Sequence, residues 1–250
     1  ETFASVAFSN RYYGVNSIDT ILDRLSSSTP RYRLRTRDGD VREFNNDRRL
    51  TAIRTPGVPQ HDINLTYDSD GRLSRAVDIH GRALTFLYRY GRLWRIVQPD
   101  GTAVTYTYDE ENNLTAVEHA DGTSRTYHYG ESGLAPSVLK NNLTGITDES
   151  AARYASFGYD AVGRVTSSVL HTAGGTVATT FLHYGVDNTA TVTTANGGTR
   201  TYTAQPGFYR RLAQVTDSAG ASAHAYHADG RPSSVTSPQG TTTTYAFTGA

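Results

Sequence analysis

Apolar and polar residues alternate singly along much of this chain. The clearest example is residues 102–108, where apolar or aromatic side chains take positions 104, 106 and 108 and threonines take positions 105 and 107. One predicted face carries Val104, Tyr106 and Tyr108, and the other carries Thr105 and Thr107. Residues 83–88 repeat the pattern, with Leu84, Phe86 and Tyr88 on one face and Thr85 on the other. This period of two, in β-branched and aromatic residues, predicts short β-strands.

Turn signals separate these strands about every ten residues, and each kind of turn recurs after about twenty. One kind begins with Tyr-Asp or a related pair and commonly ends with Gly-Arg, while the other contains Asp-Gly or His-Gly. Asp, His and Gly tolerate the backbone conformations of tight hairpins. The residues that define this repeat signature are Tyr67, Asp68, Gly71, Arg72, Gly81, Arg82, Tyr88, Gly91, Arg92, Asp100, Gly101, Tyr108, Asp109, Asp121, Gly122, Tyr159, Asp160, Gly163 and Arg164.

The repeat predicts an all-β fold, a long antiparallel meander with two strands in each period of about 20 residues. We expect more than ten strands between Tyr32 and Tyr245, with little helix after residue 30. The expected turns lie near Gly71, Gly81, Gly91, Gly101 and Gly122. Because adjacent strands rotate by roughly −20 to −25°, a sheet of this many strands must curl or close. Strand spacing alone leaves open whether the result is a barrel, a spiral or a shell.

The chain divides on this basis into two segments. Residues 31–250 form a single continuous repeat array, and residues 1–30 form a non-repeat N-terminal segment. In the N-terminal segment we expect a strand or two around Phe3, Val6, Phe8, Tyr12 and Tyr13. A short helix is predicted over residues 17–25, ended by the Ser-Ser-Ser-Thr-Pro run that follows.

Charge and composition narrow the function classes. Twenty-four basic and 24 acidic side chains cancel, whereas nucleic-acid-binding proteins usually carry a clustered positive charge. No apolar run approaches the ~18 residues that predict a membrane-spanning helix. Without cysteine the chain has neither a disulfide nor a thiolate metal site. An apolar share of 37% favours a thin β-sheet wall, with solvent on part of both faces, over a β-sandwich with a packed hydrophobic core.

The tyrosines, aspartates and arginines of the signature have two interpretations. They could form a sugar-binding surface of rings and carboxylates, or a ladder of ring contacts and ion pairs between neighbouring repeats. Repetition at every turn favours the ladder, because a scaffold needs the same contact in each repeat. We therefore interpret these residues as structural.

The sequence gives only weak signals for a calcium site, a histidine metal site or an acid–base pair. Asp68, Asp70 and Gly71 imitate the start of a calcium loop, but Arg72 takes the next position that should supply an oxygen ligand. His224 and His227 would point to opposite faces of a strand. The paired carboxylates at 110 and 111 lie in a predicted turn, without the burial that tunes acid–base groups. We predict no catalytic, cofactor-binding or metal-binding residues, and no enzyme activity.

The motif Y-D-x-x-G-R-L, followed ten residues later by D-x-x-G-R or P-D-G-T and then a Y-x-Y strand, resembles the YD repeat of RHS proteins. Residues 143–164, which include L-T-G-I-T-D-E, R-Y-A and Y-D-A-V-G-R, are similar to bacterial RHS cores in particular. Recognisable copies extend over about residues 31 to 250. The self-cleaving P-x-x-x-x-D-P-x-G segment that often ends such cores has no match here, because the candidates at Pro232 and Pro238 lack Asp-Pro.

The resemblance implies a fold and a role. In that family a strip of β-sheet winds into a hollow spiral shell, which in bacterial members commonly encloses a C-terminal toxin. The insecticidal toxin complexes and the teneurins share this architecture. The chain is then expected to be an open arc of a larger shell, secreted or on the bacterial cell surface. Its expected partners are other repeats of the same shell and an enclosed toxin polypeptide.

Two competing functions remain open from the sequence. One is a cell-surface repeat module that binds carbohydrate or another protein. The other is a hydrolase on a propeller-like scaffold, which would need polar residues that converge where the repeat is broken. A propeller also needs a signature every ~40 residues, and here the period is about 20.

Overall fold

The computed structural model describes residues 3–5, 10–14, 17–26, 30–172, 174–185, 187–207 and 210–247. It contains 23 β-strands, and the one helical segment among these residues is a 3₁₀ turn at Pro59–His61. This confirms the predicted all-β antiparallel meander. Twenty of the strands lie between Tyr32 and Thr244, which confirms the expected number.

The chain folds as two compact units. Unit 1 consists of Glu1–Thr107 with Glu118–Gly122, and unit 2 of Tyr108–Val117 with Thr123–Ala250. The first eleven strands are β1 (Phe3–Ser5), β2 (Arg11–Gly14), β3 (Ser17–Arg24), β4 (Tyr32–Arg35), β5 (Val41–Phe44), β6 (Leu50–Arg54), β7 (Ile63–Tyr67), β8 (Leu73–Asp78), β9 (Ala83–Arg89), β10 (Arg92–Val97) and β11 (Ala103–Tyr108). In unit 1 each of these strands pairs antiparallel with the next.

The remaining strands continue the meander. They are β12 (Leu114–Glu118), β13 (Ser124–Tyr129), β14 (Leu143–Thr147), β15 (Arg153–Tyr159), β16 (Val165–Thr172), β17 (Gly175–Tyr184), β18 (Thr189–Thr194), β19 (Thr199–Ala204), β20 (Leu212–Asp217), β21 (Gly220–Tyr226), β22 (Pro232–Thr236) and β23 (Thr242–Thr244). In unit 2, β13 to β23 pair antiparallel in sequence order.

Register in unit 1 separates two chemically distinct faces. Ile96 pairs with both Phe86 and Val104, which places these three side chains on one face. We call this the apolar face; it carries Leu22, Leu34, Ile53, Leu65, Ala76, Leu84, Phe86, Ile96 and Val104. The opposite face carries Thr85 and Thr105, so the alternation predicted from sequence is confirmed.

The predicted helix over residues 17–25 is wrong. Residues 17–24 form β3, which pairs with β2 on one side and with β4 on the other. Asp23 accepts hydrogen bonds from Arg11 Nε at 2.7 Å and from an Arg35 terminal nitrogen at 3.0 Å, one on each flanking strand. These cross-strand contacts favour the strand over the local helical spacing of apolar residues.

The other N-terminal expectations have separate outcomes. Phe3 lies in β1, and Tyr12 and Tyr13 lie in β2, as expected. Val6 and Phe8 lie outside the described residues. The boundary at residue 30 stays a prediction.

The layer has almost no filled interior. Among the described residues the buried hydrophobic side chains are Ala52 and Ala155, 2% and 1% exposed, and the buried polar ones include Thr144. Larger apolar side chains are half-buried or exposed, as expected where strands support a face without a second layer against it.

The predicted turns are confirmed at the signature glycines, which all have positive φ. Tyr90 and Gly91, with φ of 51° and 78°, link β9 to β10 as a two-residue hairpin loop. Gly101 has φ of 88°, a region that L side chains rarely adopt.

Gly101→Ala should therefore lower the thermal midpoint although no atom lies within 4 Å of the added Cβ. The expected cost is about 1 kcal/mol, or roughly 2 °C for a chain of this length. Gly174→Ala is the matched control, because Gly174 has no positive φ and its nearest neighbour is 3.8 Å away. Equal midpoints for the two variants, by differential scanning calorimetry, would show that backbone strain at the turn is negligible.

Candidate functional site: the tyrosine–arginine ladder and the 130–142 insertion

The Tyr67-Asp68 turn closes on its own arginine, Arg72. The Asp68 backbone N–H donates to Arg72 O at 2.9 Å, and the Gly71 N–H donates to Asp68 O at 2.9 Å. The Asp68 carboxylate accepts from the Arg72 backbone N–H and from Arg72 Nε, both at 2.8 Å. The backbone N–H of Arg72, followed by its guanidinium, lowers the pKa of Asp68 below its usual value. The turn thereby fixes the direction of the arginine side chain.

Two further turns repeat this geometry. Arg82 Nε donates to Asp78 at 2.6 Å, and Arg164 Nε donates to Asp160 at 2.7 Å. At Asp109 the following Asn113 replaces the arginine, donating its backbone N–H at 2.8 Å and its side-chain amide at 3.0 Å. The hydrogen bonds that close these turns therefore all use the aspartate, and the residue that donates to it can be Asn in place of Arg.

The arginine of one turn lies over the tyrosine of the next repeat. The Arg72 guanidinium carbon is 4.8 Å from the centre of the Tyr88 ring, and that of Arg164 is 4.4 Å from the Tyr184 ring. Arg49 lies over Tyr67 in the same way at 5.6 Å. A guanidinium within about 6 Å of a ring is attracted to the ring's quadrupole.

The hydroxyl of the same tyrosine donates to the carbonyl that follows the arginine. Tyr88 donates to Leu73 O at 2.9 Å, and Tyr184 donates to Val165 O at 2.9 Å. The equivalent bonds elsewhere run from Tyr67 to Leu50, from Tyr129 to Leu114 and from Tyr159 to Leu143, at 2.6, 3.0 and 2.8 Å. We call this series of contacts the tyrosine–arginine ladder. Each step joins two repeats that are 15 to 19 residues apart in sequence.

The remaining signature residues lie in turns or at strand ends. Asp100 accepts hydrogen bonds from the backbone N–H and hydroxyl of Thr102 at 2.9 and 2.7 Å. Arg92 begins β10 opposite Arg89, and Tyr108 ends β11. Asp121 directly precedes the positive-φ Gly122 in its turn. The structure thus arranges the signature along the ladder and its turns and does not gather it into one pocket.

The calcium-like and histidine candidates have other partners. Arg72 contacts both carboxylates of the Asp68–Asp70 pair, with a terminal nitrogen 2.6 Å from Asp70. His227 lies beyond the end of β21 with Nε2 3.0 Å from Tyr245 O. Glu111, in its turn, forms an ion pair with Lys140 at 2.6 Å. Within the described ranges, no group of three His, Cys, Asp or Glu residues lies close enough together to hold a metal ion.

Polar side chains do converge at one place that the repeat pattern does not predict. The segment 130–142 between β13 and β14 interrupts the regular spacing. The Arg153 guanidinium forms a bidentate pair with Glu131 at 3.0 and 2.7 Å, and it also donates to Thr144 O at 3.0 Å. Thr144 is fully buried, and its hydroxyl donates to His128 O at 3.1 Å. These contacts fasten the start of the insertion to β14 and β15.

A serine and a histidine lie beside this clamp. Ser156 Oγ is 3.1 Å from His171 Nε2 and accepts from Arg153 Nε at 3.1 Å. A Ser–His contact is one element of nucleophilic catalysis, which also needs donors aimed at a developing oxyanion. The neighbouring Arg153 donors are already bonded to Glu131 and Thr144. The cluster therefore resembles a clamp more than a catalytic centre. Its sequence signal was the missing turn motif between Tyr129 and Leu143.

The meander, its turn chemistry and the ladder define a β-repeat protein. The RHS Repeat family model matches residues 88–124 and 210–242. The chain therefore contains two segments that match the RHS repeat. No curated protein matches the sequence.

Two solved structures share the fold, with TM-scores above 0.5. The crystal structure of TcdB2-TccC3-Cdc42 aligns with a TM-score of 0.52 and 12% identity over 94% of this chain. TcdB2-TccC3-TEV gives a TM-score of 0.52 and 12% identity over 97%. The Photorhabdus luminescens Tc holotoxin pore aligns with a TM-score of 0.46 and 16% identity over 85% of this chain. The chain spans 13–15% of the length of these structures. The described residues include no helix long and apolar enough to cross a membrane.

Tyr88→Phe should isolate one hydrogen bond of the ladder, because the ring stays beneath Arg72 while the donor to Leu73 O is lost. The expected loss is about 1 kcal/mol in the free energy of unfolding. Tyr90→Phe removes the same atom from a side chain that is 91% exposed, and it should leave stability unchanged. Urea unfolding followed by circular dichroism measures both. A Tyr88→Phe midpoint equal to that of Tyr90→Phe would contradict the role of the hydroxyl.

The Glu131–Arg153 pair predicts a dependence of stability on pH. Hydrogen bonds from Arg153 lower the pKa of Glu131 below its usual value of 4.5. A lowered folded-state pKa adds stability above the unfolded value, and this stability is lost as pH falls through the folded pKa. Glu131→Gln should thus destabilise the protein near pH 7, and its stability should converge with that of the wild type at a pH below the lowered pKa of Glu131. Glu110→Gln, an exposed turn carboxyl, is the control in urea titrations at both pH values. A constant difference between Glu131→Gln and wild type would refute the linkage.

Proposed function

We propose that this chain is a segment of a shell wall that encloses a polypeptide cargo, within a secreted or surface-displayed bacterial polymorphic toxin. The cargo of such a shell would be the C-terminal toxin of the same gene product. The chain itself acts structurally and is not an enzyme.

The observation that carries this proposal is the thinness of the β layer. Ala52 and Ala155 are the buried hydrophobic residues of the described chain, so the apolar face has little of its own protein against it. A face that mixes half-buried Leu, Ile and Phe side chains with water contact suits a surface that holds a partly folded guest.

The ladder supports a structural role for the signature residues. Its tyrosines, aspartates and arginines form hydrogen bonds and ring contacts with one another or with the backbone. Their polar groups therefore stabilise the packing of neighbouring repeats and are not directed at a ligand. The same contact repeated along the chain suits a wall, in which every repeat must hold its neighbour. This assignment covers the full repeat signature, including those members whose side-chain contacts differ from the Tyr88 step.

The fold shared with TcdB2-TccC3 structures supports the toxin context. Those structures are several times longer than this chain, so the chain corresponds to a fraction of such an assembly. The wall therefore requires further repeats, which we propose as its partners together with the enclosed toxin. The cell-surface binding module stays a second hypothesis, and no described contact favours carbohydrate.

Small-angle scattering of the purified chain tests the wall. An open, thin-walled segment should give a radius of gyration above the ~18 Å expected for a compact domain of this length. Compact single-domain proteins of equal length, measured in the same buffer, provide the control. A radius at or below ~18 Å, together with a filled sheet interior, would remove the encapsulation argument and favour binding or adhesion.

A further inference from the structure

The face of unit 1 opposite the apolar face is rich in arginine. We call it the arginine face; it carries Asp23, Arg33, Glu43, Arg54, Asn64, Arg75, Arg89, Arg92 and Arg95. Acidic residues occur on only part of it, because the sequence from 79 to 99 contains four arginines and neither Asp nor Glu. The two ends of this face therefore differ in charge.

At the N-terminal end each carboxylate lies between two guanidinium groups. Asp23 contacts Arg11 at 2.7 Å and Arg35 at 3.0 Å. Glu43 contacts Arg33 at 2.9 Å and Arg54 at 3.6 Å. The carboxylates are recessed and the arginines reach outward, with side-chain exposures of 12% for Asp23 and 47% for Arg35. At this end of the face, a carboxylate is bound between arginine side chains of neighbouring strands.

On β8 to β10 the arginines continue and the carboxylates stop. Arg75, Arg89 and Arg95 form no ion pair with any described residue. The Arg95 Nε–H is buried and has no hydrogen-bond acceptor among the described residues. Arg89 lies 4.1 Å over Trp94 and directly opposite Arg92.

We propose that the arginine face at β8–β10 binds an acidic segment of a polypeptide, whose Asp or Glu carboxylates take the positions that Asp23 and Glu43 fill at the other end. Arginine suits this role because its planar guanidinium donates two parallel hydrogen bonds to a carboxylate. Binding would neutralise the charges of Arg75, Arg89 and Arg95.

Two features favour a polypeptide over a nucleic acid. The recessed carboxylates of Asp23 and Glu43 would repel a continuous phosphate backbone along the same face. The Trp94 ring is covered by Arg89, so it offers little surface on which a base could stack. Discrete carboxylates on a flexible segment avoid both difficulties.

The choice of a polypeptide partner rests on the proposed wall function, and the binding site itself rests on the arginines. Failure of the two proposals can be told apart. Peptide binding could be absent while scattering still reports a thin wall, or binding could be present in a chain that scatters as a compact domain.

The experiment measures fluorescence anisotropy of a labelled peptide of about twelve residues that alternates Glu with Ser, titrated with the full chain at low salt and at about 0.3 M NaCl. Wild type should bind at low salt and lose affinity in high salt. Arg75→Gln/Arg95→Gln should weaken binding by about fivefold or more, from the loss of two charge-assisted contacts. A Lys–Ser peptide should not bind.

The matched control is Arg42→Gln/Arg48→Gln, which removes the same charge near the apolar face. Arg42 pairs with Leu34 and Ile53 on that face, and Arg48 lines a cavity with Leu34 and Phe44. The control should stay within about twofold of wild type. Circular dichroism establishes that both variants keep the wild-type strand content.

Three results would overturn the proposal. The first is no binding of the Glu–Ser peptide by the wild type at low salt. The second is an equal loss of affinity in both double variants, which would mean attraction to net charge alone. The third is tighter binding of a thymidine oligonucleotide of equal length with the same dependence on Arg75 and Arg95, which would make the face a nucleic-acid surface.

Discussion

The fold depends on the contact between a tyrosine and the turn one repeat earlier, which Tyr67, Tyr88, Tyr129, Tyr159 and Tyr184 all make. The Tyr88 hydroxyl bonds to Leu73 O while its ring lies under Arg72, and Arg72 is itself held by Asp68. One step therefore combines a hydrogen bond, a cation–π contact and an ion pair at the edge of the strands. Each of these is modest alone, but the tyrosine hydrogen bond recurs from Tyr67 to Tyr184. A layer without a filled interior needs such repeated local links.

The ladder leaves the two faces of unit 1 available for other chemistry. Because the links lie at the turns, strand positions between them carry few structural demands beyond alternation. Phe86, Ile96 and Val104 then make one face apolar, while Arg75 and Arg95 make the other cationic. The apolar side chains of the first face are half-buried or exposed, and Arg75 on the second is exposed.

Unit 2 shows how the repeat tolerates an interruption. Residues 130–142 replace a turn, and Arg153 compensates by joining Glu131, Thr144 and Ser156. Tyr159 still bonds to Leu143 beyond the insertion, and the Tyr159 backbone N–H also donates to Leu134 O at 2.7 Å within it. The ladder therefore continues across the interruption, and the insertion is fastened to it.

The sequence alone determined the strands of the repeat array, their turns and the two-faced alternation, because these follow from neighbouring residues. Val104 and Thr105 must face opposite ways in an extended strand, and Gly101 needs no partner to adopt positive φ. Only the tertiary structure decided that residues 17–24 form a strand, since Asp23 gains Arg11 and Arg35 from strands 12 residues away on either side. Likewise, the Arg153 clamp and the choice of Leu73 O by Tyr88 join residues 9 to 22 positions apart. Such partners are set by strand register, which no local pattern specifies.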